Sequence, residues 1–223
     1  MCTMHRIFKS SIHSIRTAAC LAAAALLQAC AANSADGGLQ PLDIPDQGVA
    51  KHNPNPQQGY RIRMTIHDAP GPFGIVRGYA QYDVANKDAC GEINAMTGTA
   101  SRMTRLEPFA LTKLSDTEYE AVVYADLMQD DDYYGRGICH WEMVMARVSL
   151  QAAKETDTGF LATIDTPDLQ AGKTIDSYFW KGEYPAVADL PGYGAYGSTR
   201  EKLRNRDDEE LFHVVLAAQE LKK

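Results

Sequence analysis

The stretch YRIRMTIHDAPGPFGIVRGYAQYDV, residues 60–84, decides the fold class of this chain. Its first eight residues alternate between apolar and polar side chains, with the apolar positions at Tyr60, Ile62, Met64 and Ile66. A period of two is typical of a strand with one buried face. Turn residues follow at 68–72, and a second β-rich run covers 74–84. We predict that these two strands pair as a hairpin.

Further short β-rich runs follow along the chain, at residues 109–114, 118–125, 138–150, 160–164 and 174–180. The first two flank a short polar turn and predict a second hairpin. The apolar alternation slips near Ala146 and Arg147, which indicates either a β-bulge or two separate strands within 138–150. Segment 207–221 fits a helix or a strand, and Phe-His-Val-Val at 212–215 favours a strand. About eight strands with little helix predict an all-β fold, an antiparallel β-sandwich or barrel.

Two cysteines, Cys90 and Cys139, lie within the β-rich part of the chain. No CxxC motif, third nearby thiol or suitably spaced histidine pair accompanies them, so a metal site is disfavoured. In an oxidising compartment two such thiols usually pair. We therefore predict one structural disulfide, which would stabilise the fold by about 4 kcal/mol through restriction of the unfolded chain.

The first thirty residues indicate where the protein resides. A basic start, with Arg6, Lys9 and Arg16, precedes an apolar run that ends in Leu27-Gln28-Ala29-Cys30. This layout is typical of a secretory signal peptide, and the run is too short to span a membrane as a helix. The Leu-x-Ala-Cys ending resembles the lipobox of bacterial lipoproteins, although Gln28 is unusual at its position. Ordinary signal cleavage nearby is the alternative.

The lipobox resemblance implies that Cys30 is acylated and begins the mature chain. An aspartate after that cysteine retains such proteins in the inner membrane, whereas this chain has Ala31 and Ala32. The expected location is therefore the outer membrane, lipid-anchored and facing the periplasm. Residues 1–29 are then the signal peptide. Residues 30–58, rich in Gly, Pro, Asn and Gln, form a flexible tether, and residues 59–223 form the β domain.

The charge of the mature chain limits its partners. Cleavage before Cys30 would leave 194 residues with 19 basic and 29 acidic side chains, a net charge of −10. Nucleic acids and anionic membrane surfaces select for basic patches, so neither is an expected partner of the β domain. A basic protein partner is compatible with this charge, and simple solubility explains it equally.

Two loops are candidate binding surfaces for a protein partner. The first carries three consecutive carboxylates and two aromatic rings, Asp130, Asp131, Asp132, Tyr133 and Tyr134. Its spacing is not that of a calcium loop, which favours a solvated acidic rim. The second is glycine-rich and carries Tyr193 and Tyr196. Tyrosine in such loops is often exposed for binding, or could stack on sugar rings, although the neighbouring aromatics also suit a core strand.

Motifs for catalysis or metal binding are missing from the sequence. It has no G-x-S-x-G elbow, HExxH motif, P-loop or dinucleotide fingerprint. His140-Trp141-Glu142 matches half of the zinc deaminase signature, but the P-C-x-x-C half is absent. We therefore predict no enzyme activity, no metal site and no cofactor.

Three segments carry a family resemblance, YRIRMTIHDAPGP from Tyr60, DYYGRGICHWE from Asp132 and YFWKGEYP from Tyr178. They are similar to a group of small bacterial envelope lipoproteins of uncharacterised domain type, which resembles the immunity lipoproteins of secretion-system effectors in size and build. The resemblance implies a protein that neutralises a toxic effector by covering its active site. The alternative is an envelope factor that binds a glycan or lipid, or an enzyme without a recognisable motif.

Overall fold

The computed structural model describes residues 49–222. Ten strands form two sheets. The strands are β1 (Gly59–His67), β2 (Ile75–Val84), β3 (Thr104–Phe109), β4 (Thr112–Lys113), β5 (Glu118–Tyr124), β6 (Trp141–Gln151), β7 (Gly159–Asp165), β8 (Thr174–Trp180), β9 (Gly194–Tyr196) and β10 (Leu211–Glu220). One short helix, α1 (Thr166–Gln170), joins β7 to β8, and three 3₁₀ turns cover Lys181–Glu183, Arg200–Leu203 and Asp208–Glu210. The predicted signal peptide, Cys30 and most of the predicted tether lie outside the described residues.

The two five-stranded sheets form a sandwich, as the strand pattern predicts. The first sheet has the order β4-β5-β1-β10-β8, and the second has the order β3-β2-β6-β7-β9. All pairs between named strands are antiparallel except β7 with β9, which is parallel. The C-terminal segment is a strand, and β10 lies inside the first sheet between β1 and β8. The antiparallel β-sandwich prediction is confirmed.

The predicted hairpin between the first two strands is wrong. β1 pairs with β5 and β10, whereas β2 pairs with β3 and β6 in the other sheet. The cause lies in the connection, where Phe73 packs against Phe160 and Phe212 with ring centroids 5.9 and 5.8 Å apart. This half-buried ring packs on the core where the chain passes from one sheet to the other.

The second predicted hairpin is confirmed in a shorter form. β4 pairs with β5 across the predicted turn, through Thr112 with Glu120 and Lys113 with Tyr119. Phe109, which we expected at the start of this hairpin, instead ends β3 in the other sheet. The predicted bulge also exists, but it lies at Val144 because Gln81 pairs with Met145 and Tyr82 pairs with Met143.

The core lies between the sheets and is rich in aromatic rings at one end. Phe160, Phe179 and Phe212 are at most 2% exposed, and their centroids lie 5.0–5.6 Å apart. At the other end, buried Tyr82 of the second sheet donates a hydrogen bond to the carbonyl oxygen of Tyr124 in the first, at 2.6 Å. Burial raises the pKa of Tyr82, so this hydroxyl stays protonated and keeps the two sheets joined.

Candidate functional site

The loop of residues 129–140, called the acidic loop below, is anchored by the predicted disulfide. Cys90 and Cys139 are bonded, fully buried, and packed with Val84 in a small cluster of their own. Arg136 donates from its guanidinium to the backbone carbonyls of Ala89 and Gly91, which joins the loop to the segment that carries Cys90. The C-terminal part of the acidic loop is therefore fixed to the domain.

Asp132 shapes the acidic loop from within. Its Oδ1 accepts hydrogen bonds from the backbone N–H groups of Tyr134 and Arg136, at 3.3 and 3.0 Å. Desolvation acts to raise the pKa of Asp132, but hydrogen bonds from the following backbone N–H groups outweigh it and lower that pKa. The carboxylate is thus ionised at neutral pH and stabilises the turn.

Asp131 and Asp130 each bind a different neighbour. Asp131 accepts a hydrogen bond from the Nζ of Lys51 at 2.8 Å, and this contact lowers the pKa of Asp131. Asp130 contacts the Nδ1 of His140 at 2.7 Å and accepts the backbone N–H of Trp141 at 2.9 Å. The carboxylates of Asp130, Asp131 and Asp132 therefore each bind different groups within the protein. Within residues 49–222, no group of three or more His, Cys, Asp or Glu side chains is placed to hold a metal ion.

Tyr133 and Tyr134 are half-buried and consolidate the loop. The Tyr133 hydroxyl donates to the carbonyl of Gln129, and its ring meets Trp141 edge-on with centroids 6.5 Å apart. The Arg136 guanidinium lies 5.1 Å from the centroid of the Tyr134 ring. Part of the aromatic area that we predicted for partner contact is thus used inside the loop.

A groove runs alongside the acidic loop at this end of the sandwich and has a volume of about 1010 Å³. We call it the acidic groove. Its walls are the ends of β2 and β5, the start of β6, helix α1 and part of the segment before β1. Four carboxylates and one guanidinium line it, namely Asp83, Asp126, Asp130, Glu142 and Arg102. The acidic groove therefore carries an excess of negative charge.

Asp83 and Glu142 form the most informative pair in the acidic groove because they occupy directly opposed positions on β2 and β6. Asp83 is contacted by Arg102 at 3.3 Å and by the Thr104 hydroxyl at 2.9 Å. The Glu142 side chain is exposed and makes no hydrogen bond or ion pair with another side chain among residues 49–222. Like charges opposite each other destabilise an antiparallel pair. Arg102 offsets part of this repulsion at Asp83, and a cation bound beside Glu142 would offset more of it.

The segment before β1 packs on the domain, although we predicted a flexible tether up to residue 58. His52 pairs with Met128, and the Asp126 carboxylate accepts the backbone N–H groups of Gln57 and Gln58 at 2.8 and 2.9 Å. His52 also contacts buried Glu107 at 2.8 Å. These contacts are polar and have no apolar period, so no sequence pattern marks them.

Tyr193 and Tyr196 lie far from the acidic loop. Tyr196 pairs with Leu161 on β7, which pairs with Ser149 on β6, seven residues along that strand from Glu142. One of these seven residues is the bulge, so at about 3.4 Å per residue the two regions are roughly 20 Å apart along the sheet. Tyr193 packs against the core, whereas Tyr196 is 64% exposed. The two predicted loops therefore do not form one surface.

Comparison of the chain with known proteins finds no matching family model, no matching curated protein and no matching solved structure. Among the residues that the structure describes, none of the helices has the length and apolar character needed to cross a membrane.

Proposed function

We propose that this protein binds a basic partner protein in its acidic groove and neutralises it, as an immunity lipoprotein of the periplasm would. The observation that carries the proposal is the opposition of Asp83 and Glu142 in a groove lined by four carboxylates. Residues that weaken a fold locally are typical of functional sites, where a ligand compensates for the cost.

The mechanism that fits this site is steric capture assisted by charge. The groove and the acidic loop are held by the disulfide, by Arg136 and by the turn around Asp132, so little ordering is required on binding. Complementary charge accelerates the encounter with a basic partner. A domain seated across the active site of a toxin then blocks that site without any chemistry of its own.

Replacing Glu142 by glutamine should affect binding of the basic partner and stability of the fold in opposite directions. We expect E142Q to raise the free energy of unfolding by about 0.2–1 kcal/mol, because it removes a like-charge opposition. The same change should slow association with the basic partner roughly two- to fivefold at low salt and reduce its salt dependence. Glu201→Gln is the matched control, since Glu201 is also exposed, has no side-chain hydrogen bond or ion pair with the described residues, and lies on the 3₁₀ turn Arg200–Leu203.

The measurement uses the full-length protein to capture its partner from envelope extract, followed by association kinetics and urea unfolding of each variant. Expression of the captured protein alone should arrest growth, and co-expression of the wild-type protein should restore it. A captured protein that leaves growth unaffected would remove the immunity role and leave only binding. Equal association rates for E142Q and the wild type would remove the acidic groove from the interface.

The proposed location rests on Leu27-Gln28-Ala29-Cys30 and has its own test. Mass spectrometry of the protein from outer-membrane fractions should find a mature N-terminus at Cys30 with acyl chains attached. Cys30→Ser should lose the acyl chains and release the protein from the membrane fraction. A mature chain that begins at another residue and lacks lipid would support ordinary signal cleavage instead.

A further inference from the structure

We infer that Arg147, on the outer face of the second sheet, binds the carboxylate of an acidic sugar whose ring stacks on Tyr196. This would be a second binding site, remote from the acidic groove and independent of the proposed function. It is defined by Tyr79, Arg147, Thr163 and Tyr196, and we call it the arginine site.

The arginine site is assembled by strand register. Tyr79 of β2, Arg147 of β6 and Thr163 of β7 occupy adjacent positions across three strands. The Nε–H of Arg147 donates to the Thr163 hydroxyl at 2.8 Å, and its Nη1 donates to the Tyr79 hydroxyl at 3.0 Å. The guanidinium carbon lies 5.7 Å from the centroid of the Tyr79 ring and 5.3 Å from that of Tyr196. Two rings and two hydrogen bonds thus fix its plane.

The guanidinium of Arg147 keeps unused binding capacity. Arginine has five N–H donors, and the two hydrogen bonds leave three of them without a partner among residues 49–222. No carboxylate in that part of the chain lies within 4.0 Å of it. Arg77 on the same sheet differs, because Glu155 binds both of its terminal nitrogens, with the Nη1 contact at 2.7 Å. A fixed, unpaired guanidinium fork is suited to bidentate recognition of a carboxylate.

The surroundings of Arg147 favour a sugar as the body that carries this carboxylate. Tyr196 offers an exposed ring for stacking. Beside it lies a groove of about 160 Å³, which Thr163 and Tyr196 line together with Ser177, Ser198 and Thr199. Hydroxyl side chains can donate to and accept from sugar hydroxyls. Asp176 also lines this groove and adds an acceptor for them.

A protein partner is less suited to the arginine site. The core of a protein interface is apolar and depleted in charged residues. Here most neighbouring outward positions are polar, at Gln81 and Ser149, or charged, at Arg77 and Asp165, and Leu161 is an apolar exception. Apart from Leu161, Ile175 and the ring of Tyr196, the face offers little of the apolar area that a protein would bury, and it suits a small polar ligand with one carboxylate.

NMR titration of the full-length protein tests this inference with three probes. Methyl β-D-glucuronide and methyl β-D-glucoside share a ring and differ in the carboxylate, and acetyl-glutamate amide offers a carboxylate without a sugar ring. We expect the glucuronide to bind about ten times more tightly than the glucoside, with shifts at Thr163 and Tyr196. The peptide-like probe should bind at least ten times more weakly than the glucuronide.

Variants distinguish the contribution of the carboxylate from that of the ring. Arg147→Gln should abolish the preference for the glucuronide, whereas Arg77→Gln should keep it because Glu155 already neutralises that guanidinium. Tyr196→Ala, a change at an exposed position, should weaken both sugars by a similar factor. Retention of the preference in R147Q would overturn the inference, as would equal binding of the peptide-like probe or no binding of either sugar. E142Q should bind the glucuronide as the wild type does, because Glu142 lies in the acidic groove. The proposal for the arginine site can therefore fail or hold independently of the proposal for the acidic groove.

Discussion

Replacing Phe212 by alanine is expected to lower the free energy of unfolding by about 3–5 kcal/mol, the usual cost of deleting a buried aromatic ring. Phe212 is fully buried on β10, and its ring lies 5.0 Å from that of Phe160 and 5.1 Å from that of Phe179. Strands on both sides of β10 hold the backbone in place, so the cavity cannot collapse easily. The cost should therefore lie in the upper half of that range.

Urea unfolding of Phe212→Ala, followed by tryptophan fluorescence, measures this loss. Leu190→Ala is the control, because Leu190 is 52% exposed in a loop and its truncation should change stability by less than about 0.5 kcal/mol. A loss of less than 1 kcal/mol in Phe212→Ala would contradict the packing described for the aromatic end of the core.

Removal of the Cys90–Cys139 disulfide is expected to cost about 4 kcal/mol. The bond joins residues 49 positions apart and thus restricts a long loop in the unfolded chain. It also belongs to a cluster separate from the main core, so few other apolar contacts hold the acidic loop when the bond is absent. The loss should appear as a lower urea midpoint and as faster amide exchange at Arg136 and Cys139.

Two routes to the reduced state check this expectation. Cys90→Ala combined with Cys139→Ala removes the bond by substitution, and a reducing agent removes it from the wild-type protein without changing side-chain packing elsewhere. The reductant should bring the wild type close to the double variant and leave the double variant itself unchanged. A double variant as stable as the oxidised wild type would contradict this expectation. It would show that the unfolded chain gains no conformational entropy when the disulfide is removed.

Much of the strand pattern can be predicted from the sequence because one buried face imposes a period of two. Ile62, Met64 and Ile66 are at most 4% exposed, as their alternation predicts. The run 174–180 coincides with β8, and Val214 and Leu216 are buried on β10. Burial of alternate side chains is a local property, so it leaves a local signal.

Strand partners could not be predicted in the same way. The seven residues between β1 and β2 contain two prolines, which suggested a turn, but Phe73 at their end is the residue that directs the chain across the core. An aromatic ring that packs on the core from inside a proline-rich connection is a sign that such a connection is not a hairpin. Which strand β1 then meets depends on residues about 150 positions away.

The acidic loop could be located from its sequence, but the acidic groove could not. Asp130 lies in the predicted segment, whereas Asp83, Asp126 and Glu142 come from three strand ends that meet only in the folded protein. The arginine site is similar, because strand register alone brings Tyr79, Arg147 and Thr163 together. The number of charged residues can be counted in a sequence, but the fold topology decides which of them lie close together.

The pairing of β1 with β10 has a consequence for synthesis and transport. β1 is the central strand of the first sheet, and β10 is its neighbour on one side. That side of β1 stays unpaired until residues up to Glu220 have left the ribosome. Folding that waits for such distant segments is slow. The export proposed above would benefit from this delay, because a chain that folds slowly remains available for passage through a secretion channel.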